Sequence, residues 1–183
     1  MHREGHLGIG FSIVAVAVFT LGPLHGGVFG AAALLTTSLP DGDLHWPIVS
    51  HRGITHTIWF AIFVGGGFGA LTYAGAGVAE QYLSTLQFDV SPLLMVIRER
   101  VLISVLLSTG AAAGIIGHIL GDMLTVGGYG NDIKPFSPVL SWSHQLRLCK
   151  ADSPWWNYGL LVAGGALLVG TLRTSAALPA FPV

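Results

Sequence analysis

Charged side chains are scarce in this sequence. Only 9% of its 183 residues are Asp, Glu, Lys or Arg, against about 25% in a typical soluble domain, while 52% are hydrophobic. Eight basic and nine acidic residues cannot cover the surface of a soluble protein of this size. The composition therefore excludes a soluble globule and predicts that lipid surrounds most of the surface.

Cysteine and basic runs are also lacking. The lone Cys149 excludes a disulfide within the chain and a zinc site made of cysteines alone. The formal net charge is −1 and no basic run occurs, so no direct nucleic-acid binding is expected. Histidine, by contrast, occurs eight times.

Four stretches without Asp, Glu, Lys or Arg divide the chain: 5–40, 53–79, 101–121 and 153–172. One crossing of a hydrocarbon core about 30 Å thick needs roughly 20 apolar residues in a helix. The first stretch holds two short helices separated by Gly22-Pro23, and each of the others holds one. We expect an all-α fold, an integral membrane helical bundle of about five transmembrane helices, in a single domain, 1–183. The expected helices are 7–21, 24–39, 56–73, 101–124 and 155–172.

The start of the chain has a second interpretation. Met-His-Arg followed by an apolar stretch imitates a secretory signal peptide, but no small-x-small cleavage site precedes Pro23, so we favour a retained helix.

The connection between the third and fourth expected helices is polar. Residues 74–100 carry five charged side chains and are expected to form a polar excursion ending in a helix anchored at the interface.

The ionisable residues are expected to gather on one side of the membrane. If successive helices alternate in direction, the start of the first and third and the end of the second and fourth share a face. Ionisable groups at membrane depth imply pairing, a water-filled cavity or a metal. Seven candidate metal ligands occupy these places: His6, Asp41, Asp43, His51, His56, His118 and Asp122.

The fourth expected helix carries the sharpest local signal. The spacing of His118 and Asp122 puts both side chains on one helix face, where they could hold one ion or let Asp122 bridge two. A plain hydrogen-bonded pair is the alternative. A glycine stripe on the same helix allows a neighbouring helix to come close, or serves packing alone; it comprises Gly110, Gly114, Gly117 and Gly121.

Two loop segments supply the remaining candidates. Asp41 and Asp43 lie in Pro-Asp-Gly-Asp, which is typical of a turn and also offers hard oxygen ligands. His51 and His56 flank the entry to the third expected helix, where Thr55 is available as an N-cap.

These motifs together resemble the YdjM-like family, described as LexA-binding, inner-membrane-associated, metal-dependent hydrolases. They are Glu-Gly-His at 4–6, Leu-Pro-Asp-Gly-Asp at 39–43, His-Arg-Gly-Ile-Thr-His at 51–56, and Gly-His-Ile-Leu-Gly-Asp-Met-Leu-Thr at 117–125. The resemblance extends to the Lys-Pro-Phe-Ser-Pro segment at 134–138. The family is also similar to the zinc-dependent phospholipase C and single-strand nuclease superfamily, whose metals are held by an early His, an Asp, a further His and a helical His-x-x-x-Asp. A LexA-type protein partner is implied by the family name alone.

The sequence departs from the family pattern at two positions, and it has no clear second His-x-x-x-Glu or His-x-x-x-Asp motif after Asp122 to complete a three-metal site. Leu44 separates Asp43 from His45, which weakens His45 as a ligand, and Thr57 replaces a Ser while keeping a hydroxyl. His144 is a candidate for a further ligand, although a surface or capping role is the stronger alternative. One or two ions are therefore expected.

The ligand types indicate the chemistry. Imidazole and carboxylate without thiolate suit a divalent metal, Zn²⁺ or Mn²⁺, which activates water for hydrolysis of a phosphoester such as a membrane lipid headgroup. Asp122 and Arg52 are the expected catalytic residues, Arg52 as a phosphate ligand or else as an interface anchor. The competing class is a non-enzymatic membrane protein that binds metal for structure, transport or partner recruitment.

The distribution of basic residues predicts the orientation. The metal face carries Arg3, Arg52, Lys134, Arg147 and Lys150, and the opposite face carries Arg98, Arg100 and Arg173. The positive-inside bias predicts a multi-pass protein of the cell (inner) membrane with its metal site on the cytoplasmic face.

Overall fold

The fold is an all-α membrane bundle, as the sequence predicts. The computed structural model describes residues 1–45, 51–85, 99–126, 132–143 and 145–177. Within these ranges, four helices are long and apolar enough to cross a membrane. They are α1 Arg3–Thr36, α2 Ile58–Leu83, α3 Arg100–Met123 and α4 Pro154–Ala177.

Helix α1 is two antiparallel segments joined at a break. Gly22 has φ +79° and ψ 167°, a conformation essentially limited to glycine. A Cβ at Gly26 would overlap the backbone of Ala17 and Val18, and Gly30 packs on Val14, so the chain folds back on itself. The hairpin expected around Gly22-Pro23 is confirmed, and all five expected segments are helical.

Helix α3 packs against both α1 and α2, and α4 packs on α1. The glycines of the stripe make this close packing possible. At Gly110 and Gly114 a Cβ would overlap main-chain atoms of Phe29 and Ala33, in the returning half of α1. Gly117 and Gly121 face Ile13 and Ile9 in its first half. The stripe thus lets both halves of the hairpin approach the helix that carries His118.

The distribution of apolar side chains fits a lipid surround. Small residues such as Ala32, Ala33 and Ala111 are completely buried, while Phe19 and Phe63 are each 78% exposed. Membrane helices associate through small residues, because lipid removes the hydrophobic drive to bury large ones. Many large apolar side chains are therefore left to face the bilayer, while Ile115, Ile119 and Ile133 form a small buried cluster.

Helix α2 differs from its expected limits. Its N-cap is Thr57, whose Oγ1 accepts from the Phe60 amide at 3.2 Å; the cap expected at Thr55 is wrong because that hydroxyl donates to Asp43. The expected end at residue 73 is also wrong, since helix continues to Leu83. Arg100 lies 3.5 Å from Glu80 and over the Tyr73 ring, so the continuation of α2 beyond residue 73 contacts the start of α3.

Short elements close the bundle at one end. Two 3-10 turns, Pro40–His45 and Ile54–His56, lie between α1 and α2. Strands β1 Thr125–Val126 and β2 Cys149–Lys150 pair in parallel between α3 and α4. Burial raises the pKa of the Cys149 thiol.

Candidate metal centre

Four side chains from three elements meet at one end of the bundle. The first 3-10 turn provides Asp41, the second provides His56, and the last turns of α3 provide His118 and Asp122. One ligand atom from each lies within 4.8 Å of all the others. Residues far apart in sequence therefore form a group that could bind a metal ion.

The hydrogen bonds of the two imidazoles direct their Nε2 atoms into this group. His118 Nδ1 donates to the Thr37 carbonyl at 2.8 Å, because a carbonyl can only accept. His56 Nδ1 lies 3.1 Å from Thr55 Oγ1, whose own proton goes to Asp43 at 2.6 Å. A neutral imidazole held in this way presents an unprotonated Nε2, which is the form that ligates metal.

The spacing of the four atoms fits a small divalent ion. From Asp41 Oδ1 the distances are 3.4 Å to His118 Nε2 and 3.8 Å to His56 Nε2. From Asp122 Oδ2 they are 3.9 and 3.7 Å to the same two nitrogens. In a tetrahedral site with bonds of about 2.1 Å, neighbouring ligand atoms lie about 3.4 Å apart. Neither Nε2 has a hydrogen-bond partner among the described residues, although both are buried, so a cation would satisfy them.

His6 lies against this group on the other side of Asp122. Its Nε2 is 3.2 Å from Asp122 Oδ1, the oxygen that also contacts the Met1 amino group. Its ring is buried, and within the described part of the chain neither nitrogen has a hydrogen-bond partner. The two oxygens of Asp122 thus face different sides, one toward His56 and His118 and one toward His6.

Asp43 is placed behind the group, and its oxygens serve the surrounding loop. Its carboxylate is completely buried, and Oδ1 accepts from His51 Nδ1 at 2.7 Å. Oδ2 accepts from Thr55 Oγ1 at 2.6 Å and from the Arg52 amide at 3.2 Å, and lies 3.4 Å from His56 Nδ1. Asp43 therefore orients His51 and His56 together.

Arg52 extends from this loop toward Asp122. Its backbone is left-handed, with φ +61°, a conformation that costs a non-glycine residue of order 1–3 kcal/mol and that the bond to Asp43 helps to hold. Its terminal nitrogen lies 3.7 Å from Asp122 Oδ2, its side chain is 6% exposed, and its Nε has no hydrogen-bond partner in the described ranges. A buried guanidinium with unused donors is suited to an anion.

A cavity of about 1000 Å³ opens beside the group. Its lining includes Asp41, His51, Arg52 and Asp122, and carries further charge of both signs, from Arg3 and Lys150 and from Glu4 and Asp152. Arg52 and Lys134 also line a second cavity of about 700 Å³. A molecule in the larger cavity would touch two of the four grouped residues.

The family model of the YdjM inner membrane protein family matches residues 1–181. The chain belongs to this family. No curated protein and no solved structure matches it. The family and the apolar helices place the chain in a membrane.

In this YdjM family chain the structure brings together four of the seven candidate ligands, Asp41, His56, His118 and Asp122, but the groups that support them were not predicted. The Thr37 carbonyl and the Thr55 hydroxyl, which fix the two imidazoles, have no signal in the sequence beyond their nearness to Asp41 and His56. His144 and the side chain of His45 lie outside the described residues. The ligand roles of all seven predicted residues stay predictions.

Proposed function

We propose that the chain is a membrane-bound metal-dependent hydrolase that acts on a phosphoester. The observation that supports this most is a pair of buried Nε2 atoms, those of His56 and His118, which face two carboxylates and have no hydrogen-bond partner among the described residues. The donor set of imidazole and carboxylate favours Zn²⁺ or Mn²⁺. When bound, such an ion lowers the pKa of water and polarises a phosphoryl oxygen.

The protein's own side chains would orient the substrate. Arg52 is buried at the cavity wall and its Nε has no hydrogen-bond partner among the described residues, so its planar guanidinium can donate two hydrogen bonds to a phosphate. Asp122 keeps that guanidinium near the group, with 3.7 Å between Oδ2 and the terminal nitrogen. The phosphate would then lie between Arg52 and the four grouped residues.

One or two ions can be accommodated. Asp122 Oδ2 faces the group of four, whereas Oδ1 faces His6 at 3.2 Å. A second ion beside His6 would use Asp122 as a bridge. His6 would then gain the partner that its ring lacks among the described residues.

The location of the site supports a membrane phosphoester as substrate. Asp41 and Asp122 lie near the ends of helices long and apolar enough to cross a membrane, and in a bilayer this would put them near the lipid headgroups. We place this face in the cytoplasm, because Arg3, Arg52 and Lys150 are at this end. Reporter fusions after residues 45 and 85 test the orientation; a cytoplasmic 85 with an external 45 would reverse it.

Transport is less well supported by the structure. The buried histidines and carboxylates among the described residues are His6, Asp43, His56, His118 and Asp122, all at one end of the bundle. A transporter needs ionisable groups along a path through the bilayer. A metal used only for structure is the remaining alternative.

Turnover separates a hydrolase from a structural metal protein. Detergent-purified protein would be loaded with Zn²⁺ or Mn²⁺, analysed for bound metal, and assayed on a panel of phosphodiesters and phospholipids. We expect metal and turnover in the wild type and in His25→Ala, whose residue lies near the hairpin break, and loss of both in Asp41→Ala. Bound metal without turnover across the panel would favour the structural alternative.

A further inference from the structure

His51 and Asp43 form a separate pair beside the group of four. The Asp43 carboxylate is completely buried and can only accept hydrogen bonds when ionised. The proton between it and His51 therefore belongs to Nδ1, 2.7 Å from Oδ1. The Thr55 hydroxyl and the Arg52 amide hold the other carboxylate oxygen, so the aspartate is fixed and the imidazole is oriented through it.

The position of His51 suits contact with a substrate. Its side chain is 19% exposed, whereas those of His56 and His118 are completely buried. It lines the large cavity together with Asp41 and Asp122. Its ring meets the edge of the His56 ring at a centroid distance of 5.5 Å, yet it is not one of the four atoms that lie within 4.8 Å of one another. With Nδ1 bound to Asp43, Nε2 is the nitrogen left for the cavity.

Such a group would accelerate phosphoester hydrolysis. The oxygen that leaves phosphorus departs as an alkoxide or aryloxide unless it receives a proton, and a positioned imidazole commonly supplies one. A carboxylate behind the imidazole fixes its tautomer and stabilises the imidazolium. The four grouped residues cannot take this role while they ligate an ion.

We propose that His51 is the general acid of the hydrolysis and that Asp43 is its positioning residue; this rests on the proposed function. Water oxygen forms a bond to phosphorus and releases one proton to solvent, while the bond from phosphorus to the leaving oxygen breaks. The Nε2 proton of the His51 imidazolium passes to that leaving oxygen. Solvent in the cavity then returns a proton to Nε2.

Leaving-group dependence tests this assignment. Methyl p-nitrophenyl phosphate loses a stable anion that hardly needs a proton, whereas methyl phenyl phosphate loses a phenolate as basic as that of tyrosine, with a pKa of about 10. In His51→Ala we expect turnover of the phenyl ester to fall by roughly 10²- to 10⁴-fold, and that of the nitrophenyl ester by less than about 10-fold. Added imidazole should restore the phenyl ester reaction.

Two further measurements separate the alternatives. His51→Asn keeps an N–H near the place of Nδ1 for Asp43 but has no proton to transfer, so it should show the same difference between esters, with bound metal at the wild-type level; His25→Ala is the control. An equal fall on both esters, or loss of metal in His51→Asn, would overturn the assignment while leaving the hydrolase proposal standing. If the wild type hydrolyses no ester, the proposed function fails and this inference with it.

Discussion

The imidazole of His6 lies flat on that of His118, with ring centroids 3.7 Å apart and planes 9° from parallel. His118 is therefore held on two sides, by this stacking and by its bond to the Thr37 carbonyl. The same hairpin provides both supports, because Thr37 follows its second segment and His6 lies in its first. The fold of α1 thus orients a side chain of α3.

Removing a ligand should abolish metal binding without preventing membrane insertion. His118→Ala and Asp41→Ala each delete one of four atoms in the group, while the hydrophobic stretches that drive insertion are unchanged. We expect bound metal to fall from stoichiometric to near background in both variants. Metal analysis after membrane extraction measures this, and wild-type metal in both would make the site assignment wrong.

The sequence could predict this group only in outline. The His118 and Asp122 spacing lies within one helix and follows from helix geometry alone, and Gly22-Pro23 marks the turn that brings the start and end of α1 together. Asp43 shows the limit of prediction from the sequence. Asp41 and Asp43 lie in the same Pro-Asp-Gly-Asp segment and cannot be told apart there, and only the folded loop directs the oxygens of Asp43 to His51 and Thr55.

The N-cap of α2, predicted at Thr55 and found at Thr57, could not be assigned from the sequence for the same reason. Both hydroxyls precede the apolar run, and the sequence does not show that Thr55 donates to Asp43. A side chain engaged by a distant carboxylate is unavailable to its own helix. Local propensity therefore placed the helix start within a few residues but could not assign the cap.

Asp43→Asn should weaken metal binding while leaving all four grouped residues in place. The amide keeps one acceptor but loses the charge that holds Thr55 and His51, so the His56 imidazole is less firmly oriented. Substitution of such an outer partner typically costs about 10- to 100-fold in metal affinity. Competition with a chelator measures the affinity.

Thr55→Val is the matched control for this variant. It removes the hydroxyl between His56 and Asp43 and preserves side-chain volume. We expect a smaller loss of affinity than in Asp43→Asn, because Asp43 Oδ2 remains 3.4 Å from His56 Nδ1. Unchanged affinity in both variants would contradict the supporting role of Asp43.

The glycine stripe should be intolerant of even one methyl group. A Cβ at Gly114 would overlap the Ala33 carbonyl and the Thr36 hydroxyl, which forces α1 and α3 apart. We expect Gly114→Ala to destabilise the protein by about 1–3 kcal/mol. Gly66→Ala in α2 is the control, because nothing lies within 4 Å of its added Cβ. Thermal unfolding in detergent should show a lower midpoint in the first variant alone.

Asp122→Asn should lose hydrolysis more completely than metal binding. The amide keeps the size of the side chain and one oxygen acceptor, so an ion can remain beside His56 and His118. The lost negative charge changes the electrostatic balance that sets the acidity of water at the site. The substitution also removes the ionic partner of the Arg52 guanidinium, 3.7 Å away. Arg52, the proposed phosphate-binding residue, is then less firmly oriented.

Turnover must therefore be compared at equal metal occupancy. Wild type and Asp122→Asn would be loaded with Zn²⁺ or Mn²⁺ to the same measured content and assayed on the same phosphodiester. Removing a group that stabilises developing charge typically costs about 10²- to 10³-fold in kcat, and we expect a loss of this size. A purely structural pairing of Asp122 with His118 would instead lower thermal stability modestly and leave kcat unchanged. Equal turnover would thus remove Asp122 from the catalytic residues while leaving its place among the metal ligands intact.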